Sequence, residues 1–127
     1  MVNKYDPEIV GKAVQQWHCA DTIKIMLVAA IKLIEETSKF KVSGEQIIGA
    51  QQIMRMYFDA LLNEVEVART IIRLPELVKA RDKIMELAGR VQLQEYSDAN
   101  KYVGEALSHI TVCAERAAKV LEEQGLW

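Results

Sequence analysis

Apolar residues return along this chain at intervals of three and four, the spacing that lines one face of an α-helix. No β-branched or aromatic run alternates with polar residues between turn signals. The pattern predicts helices alone. Asp6-Pro7-Glu8 has the form of a helix start: a side-chain acceptor for orphan amides, a proline whose missing N–H is harmless in the first turn, and an acid that suits the dipole. A first helix is expected over 7–39, its opening turn weakened by Gly11. Ser43 and Gln46 have capping-box spacing for a second helix over 44–74, ended by the bias of the residue before Pro75 away from helical geometry. Pro75 opens a third over 75–95, and Ser97-Asp98 cap a fourth over 98–124 that stops at Gly125.

Connections this short favour antiparallel neighbours, so the expected fold is all-α, a four-helix up-and-down bundle filling one domain over 1–127. A helical hairpin dimer, two chains building one longer bundle, is the alternative. The helices are not equivalent. On the fourth, Ala99, Val103, Ala106, Ile110, Cys113, Ala117 and Val120 make a single narrow apolar face. Most residues of the second from Ile47 to Ile72 are apolar, with Gln52, Arg55, Asp59, Asn63, Glu66 and Thr70 confined to one stripe. The first repeats this pattern: Asp21, Lys24, Lys32, Glu35 and Lys39 follow one line, and apolar side chains from Ile23 to Ile34 cover much of the remaining girth.

Each Ile, Leu or Met left in water forgoes about 1.5–3 kcal/mol, so three or four of them rival the stability of a small domain. The excess predicts an interface on the first two helices, for which Ile25, Val28, Ile48, Met56, Phe58 and Leu62 are the candidate surface residues. The competing reading is that these bulky groups fill a wide core opposite the alanine-rich fourth helix.

Composition narrows the partner. Half the residues are apolar and 27% are charged, and 16 basic against 18 acidic side chains leave a net charge of −2, too small a field to draw a polyanion or an anionic membrane. Recognition by shape and apolar contact is expected, as a homodimer or higher oligomer or with a partner protein's helix. The opening residues show no basic segment followed by an apolar stretch, and Ile23 to Ile34 is too short and too charged to span a bilayer, so a cytoplasmic protein away from the membrane is expected. Two cysteines, Cys19 and Cys113, are too few for a disulfide framework.

Candidate chemistry is sparse. His18, Cys19, His109 and Cys113 include the ligand types of a zinc site, and the antiparallel layout sets Cys19 and Cys113 at similar heights. Adjacent His18 and Cys19 diverge by about 100° on a regular helix, however, so small buried thiols beside partly exposed histidines are the simpler reading. Glu-x-x-His, a phosphate-binding glycine loop, a nucleophile elbow and Cys-x-x-Cys do not occur, so no catalytic residue, cofactor or metal site is assigned. Arg69, Arg73, Lys79, Arg81 and Lys83 gather around the second turn with Glu76 and Asp82 among them and no interleaved aromatic, which does not favour nucleic acid. Trp17 and Trp127 read as packing residues, the latter alternatively as a docking tail.

Ala30-Ile31-Lys32-Leu33-Ile34, Ala50-Gln51-Gln52-Ile53-Met54 and a tryptophan near the end resemble segments of the flagellar export chaperones, small four-helix proteins that hold flagellin's C-terminal segment. The chain departs from that family at Cys19-Ala20-Asp21-Thr22 and Leu27-Val28-Ala29, where its Thr-Ala-Ser-Pro and Tyr-Asp-Gly motifs would stand. The resemblance implies a four-helix bundle and a peptide-holding role. From the residues, the leading expectation is a non-enzymatic helical interaction protein acting through the apolar faces of the first two helices. A small metal-binding protein or metalloenzyme built on the Cys/His cluster and a helical subunit of a nucleoprotein assembly are the alternatives.

Overall fold

A computed structural model describes residues 6–39 and 44–126, less the side chains of residues 44–48. Ile48, Ser43, Gln46 and Trp127 therefore lie outside the described side chains. Four helices make up the described chain: α1 (Pro7–Ser38), α2 (Gly44–Arg69), α3 (Pro75–Gln92) and α4 (Ala99–Glu123). Consecutive helices pack on one another, and α1 closes the ring on α4. The direction of three of the four pairings follows from contacts near helix ends. The Asp6 amide donates to Gln124 Oε1 (2.7 Å), Gln16 Nε2 to the Ile71 carbonyl (3.2 Å) and Gln51 Nε2 to the Gln92 carbonyl (3.3 Å). In each case the start of one helix meets the end of the next, which is the expected up-down-up-down bundle.

Local chemistry sets the helix ends. Asp6 Oδ1 accepts from the amides of Glu8 (3.0 Å) and Ile9 (3.5 Å), the cap its position predicts. Asp98 occupies the N-cap position of α4 but makes no side-chain cap hydrogen bond, so the expected capping role does not hold there. Helix α2 stops at Arg69, short of the expected Leu74. The amides of Thr70 and Ile71 turn back to Val67 and Ala68, and the Thr70 hydroxyl donates to Val67 O (2.7 Å). Five residues are then needed to cross to α3 while Ile72 turns into the core and Leu74 is held extended before Pro75.

Helix α3 ends at Gln92 rather than at 95, in a Schellman motif: the Glu95 amide donates to Arg90 O (2.9 Å) and the Gln94 amide to Val91 O (3.0 Å). The motif puts Gln94 at a φ of 60°, whereas the matching position after α4 is Gly125, at 79°. Gln94→Gly should therefore raise stability by about 0.5–1 kcal/mol, read as a higher urea midpoint at unchanged slope.

The core runs the length of the bundle through Ile23, Leu27 and Ile34 of α1, Met54, Leu61 and Val65 of α2, Leu77, Ile84 and Leu87 of α3, and Val103 and Ile110 of α4. Helix α4 makes the most extensive pairings, with α1 and with α3, and α2 is held less closely by its neighbours. Ala99, Ala106, Cys113 and Ala117 on the buried side of α4 let backbones approach, whereas Met54, Phe58 and Leu61 keep α2 at the distance of a large side chain. Val10, Ala13 and Leu121 form a second, smaller cluster where α1 and α4 run together beyond the main core.

Candidate functional site

Two surfaces stand out. The first is apolar and lies on α1 and α2. Large apolar side chains exposed on the described surface include Ile9, Val14, Ile25 and Val28 of α1 and Ile53, Met56 and Val67 of α2. Helix α3 contributes Met85, and α4 contributes none among its described residues. Ile25 is 62% exposed and Met56 71%, values that leave most of each side chain in water. Ile53, Met56, Ala60, Asn63 and Val67 follow one another at three- and four-residue intervals, so they form a single stripe along the outside of α2. Asp21, Lys24, Ile25 and Val28 outline a shallow depression on the outside of α1.

The candidate interface residues thus divide. Ile25, Val28 and Met56 face solvent, Leu62 is half-buried against the core, and Ile48 lies outside the described side chains. Phe58 is corrected: it is 3% exposed and packs in the core, its ring edge-on to Tyr57 with centroids 6.3 Å apart, and it is no docking residue. Phe58 and Met56 are two positions apart on a helix and so face different sides, a separation that counting apolar residues around the circumference does not resolve. Ile53 and Val67, absent from the candidate set, complete the stripe. Their signal was their three–four register with Met56.

The second surface is a polar cleft of about 530 Å³ at one end of the bundle. It opens where α1 and α4 run on beyond the end of α2 and the start of α3, and three distant segments line it. Lys12, Gln15 and Gln16 come from α1, Thr70 to Leu74 from the connection after α2, and Cys113, Arg116 and Val120 from α4. Gln16 ties two of these segments together through its hydrogen bond to Ile71 O. Cys113 is nearly inaccessible, and burial, reinforced by the negative charge of Glu76, pushes its thiol up to about 11 despite the opposing pull of Arg116.

The four Cys/His candidates do not converge. Both cysteines are free thiols, and no group of three or more His, Cys, Asp or Glu suited to a metal ion occurs among the described residues. Cys19 feels the charge of Glu64 on α2, which, after burial, raises its thiol; Cys113 lines the end cleft. A thiol held near 11 is protonated at neutral pH and a poor nucleophile. Iodoacetamide labelling at pH 8 read by mass spectrometry should therefore leave Cys113 unmodified in the native protein and label it fully in urea. Linkage adds a direction: between about 9 and 11 the unfolded chain gives up this proton and the folded one keeps it, so stability falls as pH rises through that window.

The basic turn is redistributed by folding. Arg69 pairs with Glu66 (2.9 Å), Arg81 with Glu66 (3.6 Å) and Asp82 (3.4 Å), and Lys83 with Glu105 (2.7 Å). Lys83 and Arg90 also lie over the Tyr102 ring, at 5.9 and 5.0 Å from its centroid. Of the five basic residues, Arg73 and Lys79 make no ion pair with a described residue, and Arg73 belongs to the end cleft with Lys12 and Arg116. Among the described residues, no helix is long and apolar enough to cross a membrane. Comparison with protein families, curated proteins and solved structures finds no match, so the short likeness to the flagellar export chaperones carries no assignment.

Proposed function

We propose that this chain is a non-enzymatic helical interaction protein that associates with a second copy of itself through the outer stripe of α2. The observation that supports the reading is the unequal distribution of exposed large apolar side chains, concentrated on α1 and α2.

The stripe is self-complementary. Ile53 and Val67 stand equidistant from Ala60, whose small side chain allows close approach at the centre. A second α2 laid antiparallel about Ala60 sets Ile53 of each copy against Val67 of the other, as an isologous two-fold contact requires. It also brings Arg55, which makes no ion pair with a described residue, near Glu66 of the other copy. Burying Ile53, Met56 and Val67 from both copies yields on the order of 10 kcal/mol against the roughly 4–15 kcal/mol that association costs in lost motion, a net of about 6 kcal/mol at most, so a weak dimer with a Kd of roughly tens of micromolar is expected.

Sedimentation velocity from 1 to 100 μM tests the reading, with a concentration-dependent shift to twice the chain mass expected. A constant monomer mass over that range overturns it. A complex with a foreign helix in place of the dimer would transfer the same stripe to the alternative, a partner-binding adaptor.

A further inference from the structure

The end cleft is a feature the proposed association does not use. Three cations line it: Lys12 from α1, Arg73 from the connection after α2, and Arg116 from α4. Among the described residues no carboxylate lines it, and none of the three makes an ion pair with a described residue, whereas Arg69, Arg81, Lys83 and Arg90 all do. Glu76, the acidic group that acts on Cys113, is outside the lining. A protein with net charge −2 has thus gathered three like charges from remote parts of its sequence around one concavity, none of them in an ion pair with a described residue. Like charges so placed repel one another, and an anion seated among them removes that repulsion.

We propose that this cleft binds a small phosphorylated molecule. Two guanidinium groups offer the paired donors that fit phosphate oxygens, and Lys12 adds a mobile point charge, so three positive charges match a di- or trianion better than a single carboxylate. The volume lies within the range of small-molecule sites. Ile71, Leu74 and Val120 supply apolar surface for the part of the ligand that carries no charge, and Gln15 offers an amide beside it. The site exists only in the folded bundle, because its cations lie on segments that meet nowhere else.

Isothermal titration of the full chain with inorganic pyrophosphate and with ATP, against sodium chloride matched for ionic strength, tests the assignment. One-to-one binding is expected for both probes, weakened about tenfold or more in Arg73→Glu and in Arg116→Glu, and unchanged within about twofold in Lys79→Glu, which alters a basic residue outside the cleft. Arg73→Gln and Arg116→Gln, checked for native helicity by circular dichroism, should show the same loss if a reversed charge harms the fold. Absence of heat beyond the salt control, an equal loss in Lys79→Glu, or tighter binding of citrate than of either phosphate probe would overturn the proposal.

Discussion

Phe58→Ala is expected to destabilise the bundle by about 3–5 kcal/mol, while Met56→Ala, two residues away on the same helix, changes the stability of a single chain by no more than about 0.5 kcal/mol. The contrast comes from burial. Phe58 is 3% exposed, packs with Met54 and Leu61, and meets the edge of Tyr57, so truncation removes a large apolar surface and leaves a cavity in a core whose neighbours are held by rigid helices. Part of the loss falls on Tyr57, whose hydroxyl donates to the Met26 carbonyl (2.7 Å) and fastens α2 to α1. Met56 lies mostly in water already, and alanine is the better helix former. Urea denaturation at sub-micromolar chain concentration, where association does not contribute, separates the two. Equal midpoints for both variants would contradict the placement of Phe58 in the core.

The second large effect is on assembly. Ile53→Glu combined with Met56→Glu should abolish the concentration-dependent mass increase and leave a folded monomer. The paired change puts like charges on a surface whose burial drives the contact, so weakening by about a hundredfold or more is expected, enough to move a dimer with a Kd of roughly tens of micromolar beyond the range tested. Helicity and urea midpoint of the monomer should stay near those of the parent, since neither residue is buried within the chain. Ala60→Cys gives a geometric readout. On the two-fold axis of an antiparallel contact its thiol meets its own copy, so mild oxidation should produce a covalent dimer, whereas Met85→Cys, exposed on α3, should not. A dimer that survives the double glutamate change would place the association elsewhere on the surface.

The two surfaces are physically independent. The α2 stripe is apolar apart from Asn63 and selects by shape, and the end cleft is cationic and selects by charge. Variants in one should leave the other's measurement unchanged.

Periodicity made the fold legible. Three- and four-residue spacing, two prolines and the acceptor at Asp6 placed four helices, and the short connections between them allowed little besides an antiparallel ring. Ends were less legible where tertiary demands competed with local preference. Pro75 marks the start of α3 correctly, but α2 stops at Arg69 because the chain needs the following residues to cross between helices and bury Ile72. The cap expected of Asp98 failed for a similar reason: position alone does not aim a side chain at an amide.

By itself the sequence determined that α1 and α2 carry more apolar surface than one bundle face requires, since that is a property of composition around a helix. Which side of each helix the bundle covers was decided by tertiary structure, for the core takes one arc and the opposite arc is left outside; hence Phe58 inside and Met56 out. The end cleft could not be read along the chain at all. Lys12, Arg73 and Arg116 are far apart in sequence, and their shared concavity arises only because α1 and α4 outrun the turn between α2 and α3. Folding also cancels charges that looked available, as Glu66 and Glu105 neutralise most of the basic turn. Local periodicity is written in neighbouring residues, whereas a site is a meeting of distant ones.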